Sequence, residues 1–348
     1  MTSRDWVLHV DLDQFLVAVE VRRHPELRER PVVVGGSGDP TARRQVVASA
    51  SYEARAAGVR AGMPLRQAHR RCPEAVFLPS DRPAYEEASA EVMAVLRDLP
   101  VQVEVLGWDE AFLGARSDDP EGLAQEVRRT VVERTGLSCS VGIGHNKLQA
   151  KTATGFAKPA GVRRLTTEDW PDVMGGRPTP ALWGVGPKTA AKLHELGLDT
   201  VAELAAADRE ALVARFGPTM GPWFRRLARG QGDARVHTEP WVPRSRSRET
   251  TFAEDVADRA ELDHWVEDLA RELTEQVVAE GRVVVRAAVK VRTATFWTRT
   301  RAVTLPAPTA DPADVVAAAL AALDRFELDR PVRLLGVRVD LKLPTAGA

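Results

Sequence analysis

The chain has 348 residues, 44% hydrophobic and 28% charged, a balance that excludes a disordered or fibrous protein and allows two or three domains. Its 48 basic and 49 acidic side chains leave a net charge of −1, which excludes a uniformly basic nucleic-acid binder but not one whose charges are segregated. No apolar run approaches the ~18 residues of a membrane span. No cleavage site follows the first residues, and Cys72 and Cys139 form neither a disulfide framework nor a CxxC pair. A cytoplasmic location with no membrane partner is expected.

In chain order, Trp6-Val-Leu-His-Val-Asp-Leu-Asp13 reads as a buried strand and 14–23 as a helix. Val32–Val34 and Gln45–Ala48 read as further strands, followed by helices at 52–57, 64–71 and 83–98. Residues 101–106 alternate as a strand, and Val105 to Gly114 form a hairpin with Asp109-Glu110 at its turn. A helix (121–135) and a strand (138–144) complete an α+β domain. Residues 166–231 are short helices broken by Gly and Pro, 232–245 lack periodicity and read as a linker, and a second α/β set follows.

Asp11, Asp13, Asp109 and Glu110 all stand at the ends of apolar strands, where an unpaired carboxylate is expensive to desolvate. Grouped carboxylates share a proton or hold a divalent cation, although solvated turn acids would give the same pattern. Tyr52 and Arg55 share a helix face. Lys147, Lys151 and Lys158 follow the strand Ser140-Val-Gly-Ile-Gly144 in a chain with only seven lysines. Such groups could hold a polyphosphate or simply face solvent.

Leu182-Trp-Gly-Val-Gly-Pro-Lys-Thr-Ala-Ala-Lys-Leu193 reads as helix, Gly-x-Gly turn and helix. Gly184 and Gly186 would let a phosphate approach backbone N–H groups, with Lys188 and Lys192 adding charge. In strand geometry Arg282, Arg286, Lys290 and Arg292 share one face, and Val283, Val285, Ala287, Val289 and Val291 the other. Arg244, Arg246 and Arg248 alternate in the same way, as does Arg338. Residues 254–280 carry ten acids and two arginines, and this segregation reconciles DNA binding with a neutral chain.

Together these motifs resemble the Y-family (translesion) DNA polymerases, most closely the bacterial DNA polymerase IV branch. The resemblance runs through His9-Val-Asp-Leu-Asp-Gln-Phe15, Ser51-Tyr-Glu-Ala-Arg55, Trp108-Asp-Glu-Ala-Phe112, Ser140-Val-Gly-Ile-Gly-His-Asn-Lys147, Ala157-Lys-Pro159, Trp183-Gly-Val-Gly186, Arg248-Glu-Thr-Thr-Phe252 and Pro331-Val-Arg-Leu-Leu-Gly-Val-Arg338. It implies an α+β right-hand polymerase: a palm (1–13 and 81–165), fingers (14–80), a helix-hairpin-helix thumb (166–231), a linker (232–245), an α/β little finger (246–343) and a tail (344–348). By the same resemblance Asp11, Asp109 and Glu110, with the Leu12 carbonyl, hold two Mg²⁺ ions, for which Mn²⁺ can substitute. Tyr52, Arg55 and Lys158 clamp the triphosphate, with Ser49 and the backbone amides of Gln14 and Phe15 beside it. Asp13 is structural. The partners implied are primer–template DNA and dNTPs, and the chain is expected to act as a monomer.

Three positions depart from the family pattern. Leu16 replaces the bulky aromatic that blocks a ribose 2′-OH, which predicts ribonucleotide use. Gly107 replaces a serine two residues before the acidic pair. The tail, Leu341-Lys-Leu-Pro-Thr-Ala-Gly-Ala348, shows no glutamine-containing clamp-binding peptide. The small residues Gly35, Gly36, Ala48 and Ala50 suggest a roomy pocket for the nascent base pair. Two rivals stand beside this reading. One is an aspartate-nucleophile phosphohydrolase, whose pattern wants Thr or Val two residues after Asp13; the other is a polymerase-like accessory protein without activity.

Overall fold

The first strand, β1 (Arg4–Leu12), sorts its side chains by parity. Trp6, Leu8, Val10 and Leu12 enter the main core, while Val7 joins a separate cluster with Phe112 and Ala150. A strand buried on both faces must lie mid-sheet. The structure is a computed structural model, and it describes residues 4–239 and 241–343. The tail 344–348 lies outside the described residues. The chain divides into two compact units, 1–240 and 241–348.

In the first unit β1 is followed by α1 (Phe15–Arg23), β2 (Val32–Val34), β3 (Ser49–Ala50), α2 (Tyr52–Ala56), α3 (Leu65–Arg71) and β4 (Val76–Leu78). Then come α4 (Arg82–Arg97), β5 (Gln102–Val105), β6 (Glu110–Ser117), α5 (Pro120–Thr135), β7 (Cys139–Gly144), α6 (Lys147–Ala157) and β8 (Val162–Arg164). Strands β5, β6, β1, β7 and β8 form one sheet in that order. Helix α4 starts where Asp81 accepts from the Ala84 N–H, and α5 where Asp119 accepts from the Gly122 N–H, each with proline in its first turn. Their apolar stripes (Val92 and Leu96; Val127 and Val131) lie on the side of Leu8 and Val10.

Helix α6 covers the opposite side, and two glycines let it lie directly on the strand. A Cβ at Gly142 would fall 2.0 Å from the Ala150 carbonyl oxygen, and one at Gly144 2.7 Å from the Ala150 nitrogen. The sequence Gly142-Ile-Gly144 is therefore a packing device, not a fragment of a dinucleotide fingerprint.

Strands β3, β2 and β4 form a small second sheet over Val47, Ala54, Leu65 and Ala68. Here the sequence expectation needs correction. Gln45–Ala48 is not a strand: Val46 forms only an isolated bridge to Pro64, and pairing begins at Ser49. Strand β4, parallel to β2, was not anticipated.

Helices α7 (Trp170–Met174), α8 (Pro187–His194), α9 (Val201–Ala206) and α10 (Arg209–Ala228) close around Trp170, Leu193, Leu204 and Phe224. Gly217, at φ 85°, breaks α10 just before Pro218. The segment after α10 reads as an aperiodic linker, and its first half is docked. Val236 is buried against Val7 and Phe112, the Lys147 N–H donates to the Asp233 carbonyl (2.8 Å), and the His237 N–H to Glu104 (2.6 Å). One apolar side chain and satisfied backbone groups suffice to hold an aperiodic segment.

The second unit holds β9 (Ser245–Val256), α11 (Arg259–Ala279), β10 (Val284–Thr293), β11 (Thr298–Thr309), α12 (Pro312–Leu323) and β12 (Val332–Leu341). The antiparallel sheet runs β11-β10-β12-β9, with both helices packed on one face through Leu262, Leu269, Val315 and Ala319. Among the described residues no helix is long and apolar enough to cross a membrane.

Candidate active site

Three carboxylates converge where β1 ends. Asp11 lies directly opposite Glu110 in the antiparallel β1–β6 register, so both point to the α6 side. Asp109 precedes β6 by one residue, and its carbonyl accepts from the Leu12 N–H at 2.8 Å. Burial, and then the charge of Asp11, raises the Asp109 pKa above the ordinary carboxylate value. Glu110 goes the other way, down to about 2, because of the hydrogen bond from His9 and then Lys151.

His9 is buried two residues before Asp11. Its Nδ1 lies 3.0 Å from the Thr154 hydroxyl and its Nε2 3.1 Å from Glu110. Burial pushes this imidazole below its ordinary value. The Thr154 hydroxyl proton is shared between the His9 and Ala150 carbonyls (3.0 and 2.9 Å), and Lys151 Nζ lies 3.2 Å from the ring's Nε2, so the imidazole has close polar neighbours at both nitrogens. Lys151 Nζ donates to Glu110, and Lys158 Nζ to Asp11. The charge of the cluster therefore already attracts cations.

Oxygens of Asp11 and Glu110 and a ring nitrogen of His9 lie within 4.8 Å of one another. With Asp109 and the Leu12 carbonyl they offer a mainly oxygen donor set, which fits a hard divalent cation. His9 is already engaged on both nitrogens, so it orients Glu110. The sequence reading did not single out this role. Its signal was available: His9 and Asp11 share a strand face, and Gly142 stands opposite His9, leaving room for Thr154.

A cleft of about 310 Å³ opens beside the carboxylates, lined by Asp11, Leu12, Gln14, Phe15, Leu16, Ala48, Ser49, Arg55, Ala61, Trp108, Asp109 and Lys158. Arg55 lies over the Tyr52 ring at 5.1 Å and donates to the Ala50 carbonyl (2.9 Å). The Tyr52 hydroxyl donates to Asp13 (3.0 Å), and burial raises its pKa. Asp13, 4% exposed, also accepts from Ser138 (2.8 Å), Ser140 (2.9 Å) and the Ala160 N–H (3.0 Å). Four donors saturate its lone pairs and tie α2, β7 and the segment after α6 together. Gln14, at φ 43°, opens α1 and accepts from the Tyr52 N–H at 2.7 Å. Leu16 lies in the first turn of α1, half-buried.

Several expectations are corrected here. Lys147 does not reach the cleft: it is buried and paired with Glu104 (2.8 Å). Of the small residues, only Ala48 lines the cleft. Gly35 and Gly36 are needed because a Cβ would meet the Val46 carbonyl (2.4 Å) or Gln45 (2.2 Å), and Ala50 is core. A larger cavity of about 840 Å³ lies by Trp6, Val236 and His237 and contains none of the carboxylates.

In the helical module Gly184 takes φ 99°, and a Cβ there would fall 2.7 Å from the Trp223 ring. Gly186 caps α8 with open space around it, and Lys188 and Lys192 are exposed on that helix. In the second unit the register overturns part of the proposed basic face. Arg246 and Arg248 lie opposite Val339 and Val337, which are core residues, so these arginines share the helix side of the sheet. There they pair with Glu280 (3.0 Å) and Glu272 (2.8 Å) of α11. Arg244 precedes β9, and its carbonyl accepts from the Leu341 N–H (2.8 Å). Arg282 precedes β10 and donates to the Lys342 carbonyl (2.6 Å). A bulge between Val284 and Arg286 buries Val284 and leaves Val285 only half-buried.

The open face keeps Arg286, Lys290, Arg292 and Arg338, together with Ser245, Ser247, Thr298, Thr300 and Thr304. Two acids share it. Glu249 crosses over Gly336 to reach Lys290 (2.8 Å), and Asp340 pairs with Arg338 (3.1 Å). The face is hydroxyl-rich with a modest positive excess, not uniformly basic.

Comparison with known proteins accounts for this arrangement. Residues 10–155 match the impB/mucB/samB family, and residues 243–344 match that family's C-terminal domain. Over 339 residues the chain is 57% identical to DNA polymerase IV 2 of Mycobacterium tuberculosis, covering 97% of this chain and 98% of that one. It is 40% identical over 339 residues to DNA polymerase IV of Methanoculleus marisnigri, covering 96% and 94%. A solved Y-family DNA polymerase chimera superposes with a TM-score of 0.84 at 25% identity, covering 96% of this chain and 98% of that one. The chain belongs to the impB/mucB/samB family and is a Y-family DNA polymerase. Within that class its relatives place it with DNA polymerase IV, as a translesion, DNA-directed DNA polymerase. The phosphohydrolase and the inactive accessory protein are not favoured.

Proposed function

We propose that the cleft beside Asp11 joins an incoming nucleotide to a primer 3′-hydroxyl on a template strand, accepting ribonucleotides as well as deoxyribonucleotides. The observation that carries this reading is the β1–β6 register: it sets Asp11 against Glu110, at the mouth of a cleft whose wall also holds Arg55, Lys158 and Leu16. The palm (1–13 and 81–165), fingers (14–80), thumb (166–231), linker (232–245) and little finger (246–343) carry over as the proposed domains. The protein acts as a monomer in the cytoplasm on primer–template DNA, with dNTPs or rNTPs as substrates.

Asp11, Asp109, Glu110 and the Leu12 carbonyl would hold two Mg²⁺ ions, or Mn²⁺ in their place. Once bound, such a pair stabilises the charge developing on the attacking oxygen and the leaving pyrophosphate. His9 keeps the Glu110 carboxylate oriented, and Asp13 keeps Tyr52 in place. Arg55 and Lys158 offer a fork and a point charge to the triphosphate. Tyr52, Ser49 and the backbone of Gln14 and Phe15 flank the same phosphates. The Lys158 ammonium, on Asp11 here, lines the cleft and can exchange that carboxylate for a phosphate oxygen.

Leu16 stands where selection against a 2′-hydroxyl is expected. A leucine is smaller than an aromatic ring and has more rotamers, so it excludes that hydroxyl weakly. The test is primer extension with dNTPs and rNTPs in parallel and Asp109→Ala as control. Extension with both sugars, lost in the variant, is expected. Extension with dNTPs alone would keep the polymerase and remove the ribonucleotide reading.

A further inference from the structure

We propose that the tip of the β10–β11 hairpin is a stacking platform for an unpaired strand of nucleic acid. Phe296 and Trp297 stand there in solvent, 63% and 39% exposed. Phe296 adopts φ 62°, a left-handed conformation that bulky side chains avoid. The turn is nonetheless well fixed. The Thr293 N–H donates to the Trp297 carbonyl (2.9 Å), the Phe296 N–H to the Thr293 carbonyl (2.9 Å), and the Ala294 N–H to the Pro331 carbonyl (3.1 Å). A strained backbone that holds an apolar ring mostly in water gains little from packing, and such strain clusters at functional sites.

Each ring carries a guanidinium on one side. The Arg333 guanidinium carbon lies 4.8 Å from the Phe296 centroid, and that of Arg299 5.4 Å from Trp297. An arginine-backed ring leaves its other face for a second π-system, while the cation serves a phosphate nearby. A cavity of about 420 Å³ adjoins Trp297 and is lined by Arg301, Arg325 and Arg330. Glu327 and Asp329 share that lining, Asp329 lying 3.6 Å from Arg330.

The charge selects the occupant. An apolar protein surface would desolvate the arginines, whereas an unpaired strand brings base faces and phosphates together. A duplex hides its base faces in the stack, so it has no use for these rings. The open face of the same sheet offers cations and hydroxyls without aromatic rings, so stacking is confined to the tip. The proposal assumes only that the chain binds nucleic acid, as its family does.

The test uses the full chain, with fluorescein-labelled oligothymidylate and a blunt duplex of equal length as probes. Two variants are compared: Phe296→Gly with Trp297→Ala, and Phe296→Gly alone, in which glycine suits the existing φ and preserves the turn. The double variant is expected to lose about tenfold or more in affinity for the single strand, as befits the removal of stacking platforms. Binding to the duplex, held through its phosphates, is expected to stay within about twofold. Wild-type tryptophan fluorescence is expected to be quenched by oligothymidylate, and this quenching to shrink in the double variant, which lacks Trp297, but not to vanish in Phe296→Gly alone. Equal losses on both probes, or none on either, would overturn the proposal. Duplex binding by the unaltered chain reports general DNA binding separately, so failure of that reading would be recognised as such.

Discussion

Asp11 and Glu110 face one another across β1 and β6, and each holds a lysine: Lys151 of α6 on Glu110, and Lys158, the residue that follows α6, on Asp11. Asp109, the third carboxylate, is left out of both pairs. The Lys151 ammonium also lies 5.5 Å from the centre of the Trp183 ring, so one cation joins the carboxylate cluster to the Gly-x-Gly turn of the helical module. Cations on and just after one helix thus hold a cluster that would otherwise repel itself.

The odd carboxylate has a measurable consequence. Burial and Asp11 both disfavour ionised Asp109. An acid whose folded pKa lies above its unfolded value subtracts stability at neutral pH. Asp109→Asn removes that charge at nearly constant shape. The variant is expected to melt at a higher temperature than the parent without divalent cations, and to lose primer extension by roughly a thousandfold, the scale of several kcal/mol of transition-state stabilisation. A melting temperature at or below that of the parent would contradict the electrostatic account.

Glu110 has the opposite sign. His9 and Lys151 hold its pKa at about 2, below its ordinary 4.5. A carboxyl depressed in the folded state lends stability above its unfolded pKa, and this share is lost as pH falls through the folded value. The window for Glu110 therefore runs from about 4.5 down to about 2. Urea unfolding in EDTA should show Glu110→Gln less stable than the parent at pH 7, with a smaller gap at pH 3. A gap of equal size at both values would mean that the amide fails for steric reasons.

How much of this was legible from the sequence depended on where the information lay. Asp11, Asp109 and Glu110 were readable because they stand at the ends of apolar strands, Asp11 where β1 closes and Asp109 and Glu110 where β6 opens. Arg286, Lys290 and Arg292 kept their expected face because the alternation of their strand is plain. Arg246 and Arg248 did not, because strand alternation gives two faces and only the pairing with Val337 and Val339 decides which is which. Helix α6 and strand β8 went unassigned, since α6 is buried along several faces and lacks a clean polar stripe. The docking of Val236 is a long-range contact with β1 and β6, and one valine in an aperiodic stretch gives no sign of it.

Gly142 tests the positioning of α6. A methyl group there would meet the Ala150 carbonyl at 2.0 Å and the Thr154 nitrogen at 2.3 Å, both backbone atoms that cannot swing away. Gly142→Ala should therefore cost about 1–3 kcal/mol, the usual range for overpacking, read as a lower urea midpoint at unchanged slope. Because His9, Lys151 and Lys158 are all registered through this contact, activity should fall by more than the loss of folded protein explains. Gly155, on the same helix with open space at its Cβ, is the control: Gly155→Ala should leave stability unchanged or raise it.

Leu16→Phe tests the wall of the cleft. Leu16 is half-buried against the main core and lines the same cavity as Asp11 and Arg55. If the sugar of the incoming nucleotide rests against Leu16, as proposed, a phenylalanine there adds volume to the wall that it meets. Ribonucleotide incorporation should fall by at least about tenfold, the scale on which a steric contact discriminates one small group. Incorporation of the matching deoxyribonucleotide should change much less, so the ratio of the two kcat/KM values is the quantity to measure. An unchanged ratio would place sugar selection elsewhere in the cleft, with Trp108 the next side chain to substitute. A parallel loss for both sugars would mean that the ring displaces Phe15 or Arg55, and thermal unfolding of the variant would then show the strain.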